Sequence, residues 1–262
     1  MNRDDGGRAV KSVDTSCEII EYLRTTGGST VSEIANYLDL SAGSVHTHLA
    51  TLKGHGFVVQ EGREYRLGPQ FLALGEHFRN NSALYRSAKG ELETLAERTG
   101  EGVHLIIEHR GRVLALYEVF GEDAVGEEYH AQKREEPLDH LHCTAAGKAI
   151  LSRLPRERVE EILDRHGMVE KSPNTITEAD ALFEQLDRAR ERGFAVADEE
   201  QTIGLRAVGA PIMRTDGRVE GAISVSGPAS RLKGDRFHET LPERIMNAVN
   251  AIEVDLNTAG GI

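Results

Sequence analysis

The chain has 262 residues, 39% of them hydrophobic, which suffices for one large domain or two smaller ones with real cores. No apolar run is long enough for a membrane-spanning helix, and the polar stretch from Met1 to Val13 lacks the core of a secretory leader, so a cytoplasmic location without membrane contact is expected. Its formal net charge is -12, from 31 basic and 43 acidic residues, which argues against a nucleic-acid surface unless charge is distributed unevenly.

The basic residues are 24 arginines and 7 lysines, and tryptophan is absent. An acidic, lysine-poor surface suits a protein working in concentrated salt, where repulsion between carboxylates is screened. The two cysteines, Cys17 and Cys143, are too distant in sequence to suggest a disulfide framework and fit a reducing compartment.

Along the chain, Asp14 is expected to cap a first helix carrying Val13, Ile19, Ile20 and Leu23, with Cys17 as a small core residue. Gly27 and Gly28 end it. Thr30 and Glu33 have the spacing of a capping box for a short second helix that turns Ile34, Ala35 and Leu38 inward. After a turn at Asp39 and Leu40, Ser41 caps a third helix to about Gly54, with Val45, Leu49 and Leu52 on its buried side. Two short strands around Gly62 follow, from Phe57 to Val59 and from Tyr65 to Leu67. Helix, turn, helix and hairpin in this order describe a winged helix-turn-helix.

From Leu40 to Gln60 there is no Asp or Glu, although acids make up 43 of the 262 residues. The gap falls on the third helix, which in this geometry enters a major groove N-terminal end first. Ser41, Ala42, Ser44, His46, Thr47 and His48 are its candidate contacts to double-stranded DNA, with Ala42 and the Thr47 methyl suited to a thymine methyl. Lys53 is placed on a phosphate, and Arg63 and Arg66 on the backbone or a narrow minor groove. Glu61 and Glu64 either dilute the wing's field or pair with those arginines. The competing reading is a protein-interaction module fused to a ligand sensor.

Pro69 opens a linker helix whose apolar positions include Phe71, Leu72, Leu74 and Phe78, with a break at Asn80–Ser82. Such a stripe needs a partner, and a second copy of the linker would supply it; a dimer would then match a pseudo-palindromic operator. The expected domains are residues 1–74, with the linker reaching about 84, and residues 85–262.

The second domain reads as mixed α/β around a central sheet. Helices are expected over 85–99, 145–154, 156–166, 178–192 and 236–256, and strands over 103–108, 113–119, 194–198, 207–213 and 219–226, with an irregular stretch from Gly121 to His142. Hairpin turns at Arg110–Arg112 and Thr215–Arg218 make neighbouring strands antiparallel.

Three clusters are candidate pocket walls for a small organic carboxylate: Cys143, Thr144, Ala145, Ala146 and Gly147 at a helix start; Asp198 after a strand; and Ser224 and Ser226, alternate residues of one strand. Cys143 and His142 are adjacent in extended chain and point apart, and no third partner is evident, so catalysis is not expected. His104, His109, His130, His140 and His142 have no metal-ligand spacing, and neither a metal nor another cofactor is expected.

Taken in order, several segments resemble the IclR family of transcriptional regulators. They are Ser12–Asp14, Glu33–Ala35, Ser44–Leu52, Gly56–Val58, Tyr65–Gly68, Leu141–Ala149, Arg192–Glu200 with Gly204, Ala210–Ile212 and Ser224–Pro228. The resemblance implies a winged-helix dimer or dimer of dimers with a GAF-like effector-binding domain that senses small acids or sugar-acid catabolites. By the same analogy the effector contacts the backbone at Ala145–Gly147, then Asp198, Ser224 and Ser226. Some members carry a cysteine near Ala207 that helps hold a keto acid, and this chain does not. The acidic, arginine-rich composition is similar to that of a haloarchaeal member.

Overall fold

The computed structural model describes residues 10–125 and 140–258. His130 and most of the stretch from Gly121 to His142 lie outside the described residues. Two compact units divide the chain, Met1–Phe78 and Arg79–Ile262. The expected boundary at 74 and this one both lie within a single helix, Gln70–Asn81.

In the first unit, helix α1 (Lys11–Thr26) starts after Val10 without a side-chain cap. Asp14 sits in its first turn, where its charge suits the helix dipole, and does not cap it. Thr15, Ile19 and Leu23, four residues apart, face inward. Cys17, roughly 200° around the helix from Thr15, is exposed rather than part of the core. Strand β1 (Ser29–Thr30) leads into α2 (Val31–Leu38), where Thr30 and Glu33 form the capping box. Asp39 takes the left-handed turn to α3 (Ala42–Gly54), which Ser41 caps through the Ser44 amide at 3.2 Å.

Strands β2 (Val58–Glu61) and β3 (Glu64–Leu67) form the hairpin, and β1 adds to β3 as a third strand. Ile19, Leu23, Ile34, Val45, Leu49, Leu52, Val58 and Tyr65 share one apolar core. Gly68 closes the hairpin's base, because a Cβ there would lie 2.2 Å from the Gly56 carbonyl oxygen. Helix α4 (Gln70–Asn81) buries none of its residues. It stops at Ser82, which caps α5 (Ala83–Thr99) through the Tyr85 amide.

The second unit is built on an antiparallel five-stranded sheet. Its strands are β4 (Gly102–His109), β5 (Arg112–Phe120), β6 (Ala195–Asp198), β7 (Leu205–Met213) and β8 (Val219–Pro228), in the order β5-β4-β8-β7-β6. A 3-10 turn (Leu141–Cys143) precedes α6 (Ala145–Leu151), and α7 (Arg156–His166) and α8 (Ala179–Arg192) follow before β6. A π-helical turn (Arg236–Thr240) leads into α9 (Leu241–Thr258), so the last helix is not uniformly α-helical from residue 236. Pro242, which cannot donate a backbone hydrogen bond, stands where the π-helical turn passes into α9.

Side chains alternate across the strands, so each face has its own composition. Val103, Leu105, Val208, Ala210, Ile212, Ile223 and Val225 pack with α5 and α9 into one core. On the other face Ile106, Ala195 and Ala222 pack with α6, α7 and α8 into a second. Glu101, fully buried between these elements, accepts hydrogen bonds from Arg231 and Arg236. Gly227 makes room for that carboxylate, since a Cβ there would fall 2.5 Å from Glu101 Oε2.

Candidate functional site

The outward face of α3 follows from its inward one. With Val45, Leu49 and Leu52 buried, Gly43, His46, Thr47 and Ala50 lie opposite and exposed. Ala42 is exposed at the first turn, and Ser44 lies partly covered beside it. The Thr47 hydroxyl donates to the Gly43 carbonyl at 3.0 Å, which leaves its methyl as the outward group. His48 differs from its neighbours: its Nδ1 lies 2.9 Å from Ser16 Oγ, tying α3 to α1. Helical periodicity points to Gly43 and Ala50 as further members of the outward face, although neither carries a polar group that would single it out.

Lys53 Nζ donates to Gln60 Oε1 at 2.9 Å, which pins the end of α3 to the wing. Arg66 lies 3.3 Å from Glu61 and 3.0 Å from Glu64, so both wing acids pair with it. Arg63, at the hairpin tip, is exposed and forms no ion pair among the described residues. Of the expected cationic contacts, Arg63 is therefore the one not already committed within the unit.

In the second unit, register defines a polar patch on the sheet face that also carries α6. Reading across the strands from β5 to β6, one row is Glu118, His104, Ser224, Gly209 and Ala195. The next row on the same face is Phe120, Gly102, Ser226, Ala207 and Ala197. Ser224 and Ser226 thus point the same way, as their spacing implies. The His104 imidazole joins the rows: Nδ1 is 2.9 Å from Glu118 Oε1, and Nε2 is 2.9 Å from Ser226 Oγ. Ser224 is only 6% exposed, yet its hydroxyl makes no side-chain hydrogen bond among the described residues.

Helix α6 closes over this face at Gly209. A Cβ there would lie 2.8 Å from Ala145 C and Ala146 N, so only glycine admits the helix start against β7. Thr144 caps the helix through the Gly147 amide at 3.0 Å. Gly147 is similarly confined, with Leu141 O 2.2 Å from an added Cβ. Cys143 is fully buried, and its thiol donates to the His140 carbonyl at 3.5 Å. His142 Nε2 is 3.2 Å from Val169 O, and burial holds its pKa below the ordinary imidazole value.

Asp198 is not brought to this patch. It pairs with Arg206, at 2.6 Å from Nε, and Arg206 continues to Leu232 O and the Phe237 ring on the α9 side of the sheet. Strand alternation turns its neighbour Ala197, rather than Asp198, toward the two serines. Among the described residues, no group of three or more His, Cys, Asp or Glu is arranged to hold a metal ion.

A buried ion pair fixes α6 to the segment after β6. Lys148 Nζ lies 2.6 and 2.7 Å from the two Glu200 carboxylate oxygens and 2.7 Å from Gln185 Oε1. Burial pushes the Lys148 pKa down and the Glu200 pKa up, and each opposes the shift of the other.

A winged helix-turn-helix followed in the same chain by an α/β unit with a polar sheet face is the make-up of a DNA-binding regulator with an effector-binding domain. Residues 12–62 match the IclR helix-turn-helix domain and residues 77–254 the bacterial transcriptional regulator IclR C-terminal domain. The chain is 40% identical over 253 residues to "Probable HTH-type transcriptional regulator ArcR" of Halobacterium salinarum, covering 96% of both. It is 30% identical to the HTH-type transcriptional regulator BhcR of Paracoccus denitrificans, covering 89% of this chain and 82% of that one. The crystal structure of Thermotoga maritima IclR superposes with a TM-score of 0.71 at 28% identity, covering 94% of this chain and 98% of that one. The chain belongs to the IclR family of transcriptional regulators. Its relatives are regulators rather than enzymes, and its acidic composition matches the haloarchaeal origin of ArcR.

Replacing Lys148 by Met is expected to cost about 3–5 kcal/mol, because Glu200 is left buried without its cation. An isolated buried carboxyl takes up a proton more readily when folded than when unfolded, so the deficit should shrink as pH falls and grow as pH rises. Urea denaturation of wild type and variant across pH checks both the size and the sign.

Proposed function

We propose that this regulator's operator affinity is controlled by a small organic acid or related catabolite bound on the Ser224 and Ser226 face of the second unit. The observation that carries this reading is the Ser224 hydroxyl, buried without a side-chain partner beside a glycine that admits α6. A hydroxyl with no side-chain bond of its own can donate to or accept from a ligand oxygen. The backbone at Ala145, Ala146 and Gly147 forms the adjoining wall, with Thr144 and Cys143 positioning it from behind. An IclR homologue from Microbacterium hydrocarbonoxydans was crystallised with 4-hydroxybenzoate, which makes that acid a reasonable first probe. An effector present at 100 times its dissociation constant should add about 2.7 kcal/mol of apparent stability. Ser224→Ala and Ser226→Ala should remove that gain in a thermal-shift titration of small carboxylates and sugar acids, and a gain that survives both would place the effector elsewhere.

DNA reading in this proposal falls to Ala42, Ser44, His46 and Thr47, with Ser41 setting the helix start and His48 bracing it against α1. Lys53, Arg63 and Arg66 serve phosphates, and Arg63 contributes most because Arg66 and Lys53 are already engaged. Arg63→Ala should weaken binding to the chain's own upstream DNA evenly across sequences. It should also reduce the slope of log affinity against log salt by about 0.9, with Arg66→Ala having the smaller effect, in mobility-shift titrations at several potassium concentrations. Equal effects of the two would contradict this ranking.

The proposal includes a homodimer, or a dimer of dimers, reading a pseudo-palindromic operator in the cytoplasm. Support comes from α4, where Leu72 is 74% and Phe78 59% exposed. Effector binding would act through this helix to change the spacing of two reading heads. Leu72→Asp with Phe78→Asp should yield monomers in sedimentation equilibrium, and an unchanged mass would remove α4 from the interface.

A further inference from the structure

The comparisons assign no part in ligand selection to His104 or Glu118, and residue spacing gives them none. Both are buried, both lie in the same cross-strand row as Ser224, and together they link that row to Ser226. A carboxylate can only accept, so a hydrogen bond with Glu118 places a proton on His104 Nδ1. Nε2 then meets the Ser226 hydroxyl and decides which way its O–H points. Ser226 retains one hydrogen-bonding sense toward the space above the sheet, whereas Ser224, without such a partner, retains both. Their neighbours across the strands, Gly102, Ala207 and Gly209, are small, and at Gly209 the start of α6 packs directly against the sheet.

We propose that His104, clamped by Glu118, is the positioning residue that sets effector selectivity: by fixing the Ser226 hydroxyl against a freely rotating Ser224, it makes the site distinguish a hydroxylated small acid from its deoxy counterpart. The inference rests on the effector site proposed above. Hydrogen-bonding sites discriminate strongly because a mismatched ligand leaves a buried polar group unpaired. Removing His104 frees Ser226 to rotate, so either ligand of a pair can be met.

The test uses the full chain and two probe pairs, lactate with propionate and 4-hydroxybenzoate with benzoate, titrated calorimetrically. Wild type should separate at least one pair by about tenfold, and His104→Leu should collapse that ratio toward one. His104→Gln, which keeps an amide against Ser226, should restore part of it. Adding Ser226→Ala to His104→Leu should change the ratio no further, because His104 acts through that hydroxyl. Should His104→Leu fail to fold, imidazole nitrogen NMR of the wild type replaces it: the His104 resonances should move on adding the preferred probe, and should not in Ser226→Ala. A selectivity ratio unchanged in the variants, or unmoved His104 resonances, overturns the proposal while a bound probe keeps the effector site intact. If none of the four probes binds wild type, the effector-site reading for small acids fails, and this inference falls with it.

Discussion

The alternation of side chains across β4, β7 and β8 is the constraint on which the second unit depends. One face carries valines, leucines and isoleucines and is sealed by α5 and α9. The other must cover His104, Ser224, Ser226 and Glu118 without stranding them, because buried polar groups are costly unless they are bonded. The structure meets most of that demand internally, through the bonds from Glu118 to His104 and from His104 to Ser226. The Ser224 hydroxyl makes no side-chain hydrogen bond among the described residues, and it is the group on which the proposed effector site rests. Gly209 lets α6 approach the same face, so the wall and the floor of the proposed site belong to one packing arrangement.

Much of this was readable from residue patterns, because the signals were local. The Thr30 and Glu33 capping box, the Ser41 cap, the hairpin around Gly62 and the restart at Ser82 each depend on residues a few positions apart. The Ser224 and Ser226 pair follows from strand period alone. What could not be read were relations set by register between distant strands. His104 meets Glu118 and Ser226 only because β4 lies between β5 and β8, and a bulge in the β4–β5 pairing between Leu105 and Ile106 is invisible in composition. The face on which Asp198 stands was hidden for the same reason. Strand alternation puts that residue with Arg206 on the face away from the serines. Asp14 and Cys17 failed on a smaller scale, through a helix beginning three residues before Asp14 and a rotation that turns Thr15 inward.

The reading unit resolves the conflict between a net charge of -12 and a polyanionic partner by local exclusion. No acid lies between Leu40 and Gln60, and the wing's two glutamates are paired with Arg66 rather than left to repel phosphate. The outward face of α3 is made of glycine, alanine, threonine and histidine, which allows close approach to base edges with little charge. In concentrated salt, where phosphate attraction is weakened, such a surface relies more on fit than on long-range field.

The central claim is that the hydroxyls of β8, and not the Asp198–Arg206 ion pair on the opposite side of the sheet, receive the signal. A crystal structure of the full chain with whichever small acid raises its melting temperature tests this most directly. The account predicts ligand oxygen within hydrogen-bond distance of Ser224 Oγ, under the start of α6. Ligand lodged instead beside Asp198 and Arg206, with Ser224 still unbonded, would contradict it.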